Sequence, residues 1–173
     1  MALLTKEERN QEIEALRNCL DELEFASAVL PEGPWANQKG LLVELPGDED
    51  VEWKAGEIPE NARIAAAYLM QLDEEEDQLT KYLLFCFELP QTIGDATELK
   101  VLKLVNEINQ QIRMGCFYLD ESRMEEVGRK VQYRLAVGAS TDEDFDEGLI
   151  GEAIIEMSLY YDLMEERLME FFS

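Results

Sequence analysis

The sequence contains no histidine. That absence removes the commonest general base and the commonest metal ligand together, so histidine-based triads and histidine-bearing zinc sites are excluded. Basic residues are scarce as well: 15 lysines and arginines stand against 39 acidic residues, a net charge of −24. Such a surface opposes the counterion release that drives nucleic-acid binding and disfavours anionic membranes, so the expected partners are proteins with basic or apolar surfaces. Only three cysteines occur, Cys19, Cys86 and Cys116. They are odd in number, widely spaced and free of any Cys-x-x-Cys, which fits reduced cytosolic thiols rather than a disulfide frame or a zinc site. Long hydrophobic runs are missing too. Runs such as "YLLFCF" fall far short of a membrane span, and "MALLTKEERNQE" turns charged at Lys6, before a signal-peptide core could form. The expectation is a cytoplasmic chain with no anchor and no targeting segment.

What is present is a sizeable core. With 173 residues and 46% hydrophobic content, the chain has enough for one compact α+β domain spanning 1–173 and little room for a second.

Periodicity and punctuation order the elements. Thr5-Lys6-Glu7-Glu8 reads as a capping box, and Ile13, Leu16, Leu20 and Leu23 follow at helical steps. From 31 to 60, prolines and glycines break up short extended segments such as "GLLVEL". "ARIAAAYLMQL" and "TKYLLFCFEL" flank the acidic turn "DEEEDQ" as a β-hairpin, although the alanines leave a helix open for the first arm. The second arm is apolar on both faces, Leu83/Phe85/Phe87/Leu89 on one and Tyr82/Leu84/Cys86 on the other, so both should be covered by a helix, a loop or another subunit. Asp95-Ala96-Thr97-Glu98 is read as a second capping box, opening a helix to about Arg113, with Gly115 ending it at positive φ. "CFYLDES" and "RKVQYRLAV" form a second hairpin around Gly128, with Val131, Tyr133, Leu135 and Val137 inward. Ser140-Thr141-Asp142-Glu143 is read as a third capping box opening a helix to Phe171 or Phe172, within which Gly148 and Gly151 suggest either close approach to another backbone or a helix that starts later. The predicted order is α-β-β-β-α-β-β-α, an antiparallel sheet with packed helices.

No constellation specifies a reaction. With 39 acids, adjacent carboxylates are inevitable, and none stands on a motif that would bury it and raise its pKa. "DEDFDEGLIGEA" places Asp142, Asp144 and Asp146 at alternating positions. An EF-hand would need glycine and glutamate where Glu147 and Ala153 stand, so helix N-terminal acids are the simpler account. Cys116, at a strand start, reads as an inert thiol. The basic cluster Arg123, Arg129, Lys130 and Arg134 suits cross-strand or intersubunit salt bridges better than phosphate binding.

A helix carrying "LVNEIN", a short break, "GCFYLDE", a second strand and a long helix together resemble the YbjN family of bacterial proteins described as sensory transduction regulators. The resemblance is clearest over about residues 95–172. It implies a fold like that of type III secretion chaperones and assigns no catalytic residue. The family pattern falls on Asn106, Asn109, Gly115 and Phe117. The asparagines are expected to bond neighbouring backbone where the chain turns into the strand, as structural signatures rather than a recognition pair.

The function expected from all this is a non-enzymatic protein-interaction module, chaperone-like or a regulatory adaptor, without cofactor or metal. Its candidate partner-binding residues are Tyr82, Leu84 and Cys86 on the strand and Tyr160, Met164 and Phe171 on the last helix. The alternatives are a self-contained homodimer with no client and, behind it, a carboxylate-dependent hydrolase.

Overall fold

The structure, a computed structural model, describes residues 4–33, 38–47, 62–70, 79–120 and 128–173. The turn "DEEEDQ", Arg123 and most of the proline-rich stretch lie outside the described residues. Helix α1 (Lys6–Glu22) starts at the expected capping box: the Thr5 hydroxyl accepts from Glu8 N–H at 3.2 Å, and the Glu8 carboxylate accepts from Thr5 N–H at 2.6 Å. Four strands follow, β1 (Ser27–Leu30), β2 (Gly40–Glu44), β3 (Ile64–Leu69) and β4 (Thr80–Ile93). Then come α2 (Asp95–Asn109), β5 (Cys116–Leu119), β6 (Arg129–Ser140) and α3 (Glu147–Phe172).

The α+β class and the antiparallel sheet are as expected, with one strand more than the sequence pattern predicts. The sheet has six strands in the order β1-β2-β3-β4-β6-β5, every neighbouring pair antiparallel. The added strand, "SAVL", is too short to display alternation and is defined by its register on β2, Ser27 opposite Val43. The alanine-rich arm is a strand, with Leu69 opposite Leu83.

Two capping boxes read from the sequence do not form. Ile93 is still paired with Arg129, so Gly94 alone separates β4 from α2 and becomes the N-cap; the Thr97 hydroxyl donates to its carbonyl at 3.0 Å. Ser140 is likewise held by pairing with Thr80, and its hydroxyl donates to Asp142 instead of capping a helix. Helix α3 therefore starts later, where Asp146 accepts from Leu149 N–H at 2.7 Å. Gly148 then falls in the first turn, and a Cβ on Gly151 would stand 3.6 Å from Leu23, an ordinary contact. Helix α2 ends at Asn109, short of Arg113.

All three helices bury their apolar stripes in one cluster with one face of the sheet. Ile13, Leu16 and Leu20 of α1, Val101, Leu104 and Ile108 of α2, and Ile150, Ile154 and Met157 of α3 join Leu83, Phe85, Phe87 and Leu89 of β4. Burying each such side chain is worth roughly 1.5–3 kcal/mol relative to exposure. Phe87 stacks on Tyr133 with centroids 4.7 Å apart, and Phe117 meets Tyr133 edge-on at 5.0 Å. The Tyr133 hydroxyl donates to the Met114 carbonyl at 2.7 Å, and burial pushes its pKa well up. An ion pair lies under this layer: Lys81, 1% exposed, reaches Glu12 at 2.5 Å.

Candidate functional site

Strand alternation sends every second side chain to the face opposite the helices. On β4 these are Tyr82, Leu84, Cys86 and Glu88, and the register aligns them with neighbours on both sides. Leu84 sits between Tyr68 of β3 and Ala136 of β6, while Cys86 sits between Ala66 and Arg134. Leu42 of β2 extends the second row beyond Ala66, and Cys116 of β5 extends it beyond Arg134. Among the described residues no helix packs on this face. Tyr68 and Tyr82 are each 37% exposed, and Leu84 and Cys86 are half-buried.

One end of the face is polar. Tyr118 donates its hydroxyl to the Gln132 side chain at 2.8 Å, Gln132 donates to Glu88 at 3.0 Å, and Lys130 approaches Glu88 at 3.3 Å. The Arg134 guanidinium lies 5.8 Å from the Tyr118 ring centroid. Partial burial pushes the Tyr68 and Tyr118 phenols up, with the Cys86 thiol adding to both. Cys86 and Cys116 both face Arg134 from opposite sides, two strand spacings or about 10 Å apart, beyond the reach of a disulfide.

The structure divides the residues that sequence reasoning grouped together. Tyr82, Leu84 and Cys86 share the open face. Tyr160 and Met164 are buried in the core beneath the opposite face, and Phe171 packs partly against that core. The last-helix half of the expected surface is therefore corrected: α3 is apolar over a wide arc because it meets the sheet and α2, so the arc is core. Its exposed apolar residues are others, Ile155 and Leu159 among them. Tyr68 and Tyr118 were not singled out from sequence. Their signal was alternation on β3 and β5, which shows which residues share a face and leaves open which face the helices cover.

Of the signature residues, Asn109, Gly115 and Phe117 hold the corner between α2 and β5. Asn109 bonds both backbone groups of Phe117, Asn106 is exposed on α2, and Phe117 is in the core. Gly115 has φ +68°, and a Cβ there would stand 2.5 Å from the Arg134 carbonyl. Beside it Arg113 N–H donates to the Tyr160 hydroxyl at 3.0 Å, and the Arg113 side chain pairs with Glu156. Of the basic cluster, Arg129 pairs with Glu98 and Lys130 with Glu88.

A concavity of about 160 Å³ lies between α1 and the start of α3, lined by Glu12, Leu16, Cys19, Asp144, Phe145 and Glu147. Burial, with Glu147 and Glu22 adding to it, pushes the Cys19 thiol up and away from the reactive thiolate.

The family model described as "YbjN: Putative bacterial sensory transduction regulator" matches residues 34–166. The chain belongs to the YbjN family. The match contains Asn106, Asn109, Gly115 and Phe117 and extends upstream of residue 95 to take in β2, β3 and β4. No curated protein matches the chain significantly. Among solved structures the chain is similar to the one titled "Crystal structure of YbjN, a putative transcription regulator from E. coli", at 14% identity over 91% of each chain and a TM-score of 0.45. In this YbjN-family chain no helix among the described residues is long and apolar enough to cross a membrane.

Proposed function

We propose that this YbjN-family protein is a cytoplasmic, non-enzymatic regulatory adaptor that binds a polypeptide on the open face of its sheet. The observation that carries this reading is the row Tyr68, Leu84 and Ala136 with Tyr82 beside it, apolar or aromatic side chains at the centre of a sheet face on which no helix packs among the described residues. Aromatic residues supply contact area at low entropic cost, and a patch of this kind supports an interaction site over a solvated face. The family description as a regulator is consistent with a protein that acts by binding. The charge of −24 favours a partner with basic residues around an apolar centre, drawn in by long-range attraction and excluded when it is acidic.

The test is affinity capture from native cytosol with the wild-type chain, the Leu84→Asp variant and an unrelated protein of equal charge. One near-stoichiometric protein retained by wild type and lost with Leu84→Asp, while thermal stability stays within a few degrees, is the expected result. Equal recovery on both baits would remove the face from the interaction. A wild-type chain that dimerises at micromolar concentration through Leu84, and captures nothing else, would replace the adaptor with a homodimer.

A further inference from the structure

Strand β6 runs from Arg129 to Ser140, while β5 pairs with it only from Val131 to Arg134. Two hydrogen bonds fix which way the backbone of β6 points. Asp120 N–H donates to the Lys130 carbonyl at 3.4 Å on the β5 side, and Thr141 N–H donates to the Leu79 carbonyl at 3.1 Å on the β4 side. Even-numbered residues of β6 therefore present their backbone groups outward and odd-numbered ones bond to β4. Beyond Arg134 the outward groups are those of Ala136 and Gly138 together with the Ser140 N–H; the Ser140 carbonyl already accepts from Glu143 N–H at 3.1 Å. No described residue pairs with them, and Ala136 and Gly138 are exposed.

The lane beside them is vacated by a specific turn. At Gly115 the chain still lies against the Arg134 carbonyl, but Met114 and Arg113 are drawn to the helix side by the Tyr133 and Tyr160 hydroxyls. The edge left behind, "LAVGAS", has no charge and no proline, and its ladder with β4 has no register shift, so among the described residues it lacks the usual devices that block strand addition. It borders Leu84 and Tyr82 on the open face, through Ala136 and Gly138.

We infer that residues 135–140 accept an extended segment of another protein as a seventh, antiparallel strand, collinear with β5, with basic residues at the segment's N-terminal end. This rests on the reading of the chain as a polypeptide-binding adaptor and supplies the backbone form and polarity of the bound segment. The segment takes the direction of β5, which pairs antiparallel with the same edge, and its charge follows from the flank. An antiparallel strand begins opposite the C-terminal end of β6, where Asp142, Glu143, Asp144, Asp146 and Glu147 are all exposed. A second copy suits the edge poorly: each carries −24, and a symmetric junction of six residues, about 20 Å long and about 5 Å wide, is small beside the ~1,200 Å² of a stable interface. A flexible segment can instead add side-chain contacts along the neighbouring face.

The probe is a fluorescein-labelled peptide, acetyl-KKVTVTVT-amide, titrated by anisotropy against the full chain. Saturable binding is expected, weakened at least about tenfold when the two lysines become glutamates. Ala136→Pro removes an outward N–H without touching the β4 ladder and is expected to weaken binding by at least about tenfold. Because a proline variant can misfold, the peptide is also N-methylated at alternate residues in each of the two frames. One frame must lose binding and the other retain it. Absence of binding, or equal binding by both methylated peptides, overturns the proposal. Binding that survives Ala136→Pro in a folded variant yet fails with Leu84→Asp also overturns it, while leaving the face-binding adaptor standing. A concentration-dependent dimer abolished by Ala136→Pro would give the edge to a second copy and overturn the assignment of a client.

Discussion

The Asn109 side chain grips both backbone groups of Phe117. Its Nδ2 donates to the Phe117 carbonyl at 3.0 Å, and its Oδ1 accepts from the Phe117 N–H at 2.8 Å. Eight residues separate them, so one amide fastens the end of α2 to the first core residue of β5. Asn109→Ala leaves two partly buried backbone groups without this partner and is expected to cost about 2–3 kcal/mol. Asn109→Asp keeps the acceptor and loses the donor, placing a carboxylate against a carbonyl, and should not rescue. Urea denaturation of both variants checks this; a loss under about 0.5 kcal/mol for Asn109→Ala would remove the clamp from the account of the corner.

Gly115→Ala meets two penalties at one atom. The position is at φ +68°, where a Cβ costs about 1–2 kcal/mol, and the added carbon would press on the Arg134 carbonyl and the Tyr133 hydroxyl. A total loss of about 2–5 kcal/mol is expected once overpacking is included. Tyr133→Phe should not restore it, because the Arg134 carbonyl is backbone and stays in place.

Adjacent leucines on β4 separate the two faces of the sheet. Leu83 is 1% exposed among the helices, and Leu83→Ala is expected to cost about 2–5 kcal/mol. Leu84 is half-buried on the open face, and Leu84→Ala should cost about 1 kcal/mol or less in the absence of a partner. Equal losses in thermal denaturation would mean that the second face is core as well.

Glu156 is held below the usual carboxylate range, first by the hydrogen bond from the Tyr160 hydroxyl and then by the Arg113 guanidinium, against the opposing effect of burial. Its folded-state pKa is lower than its unfolded one, so the stabilisation is present at neutral pH and disappears as pH falls through the folded value. The gap in urea midpoint between wild type and Glu156→Gln should therefore hold at pH 7 and narrow below the ordinary value of 4.5. A gap that widens on acidification would reverse the sign assigned to the group.

Much of the architecture was legible because it is encoded over short distances. The capping box at Thr5, the alternation of Val131, Tyr133, Leu135 and Val137, the positive φ of Gly115 and the asparagine bonded to backbone all depend on residues near one another in the chain. The errors share one cause. Asp95 and Ser140 head sequences that resemble capping boxes, but strand pairing extends to Ile93 and Ser140 and moves each cap to Gly94 or Asp146. β1 was missed because four residues carry no measurable period. Of the candidate partner-binding residues, those on β4 share one exposed face, while Tyr160 and Met164 became core because the width of an apolar arc does not reveal how many elements pack against it.

By itself, then, the sequence determined the α+β class, the acidic surface, the want of histidine chemistry and the corner at Asn109 and Gly115, because composition and local stereochemistry need no distant partner. Tertiary structure alone decided that the three helices share one side of the sheet, that Tyr68, Tyr82 and Leu84 are left on the other, and that β6 outruns β5 by six residues. Those outcomes depend on contacts between elements far apart in the chain. A two-sided apolar strand has the same periodicity whichever face is covered, and an edge exists only once the neighbouring strand has ended.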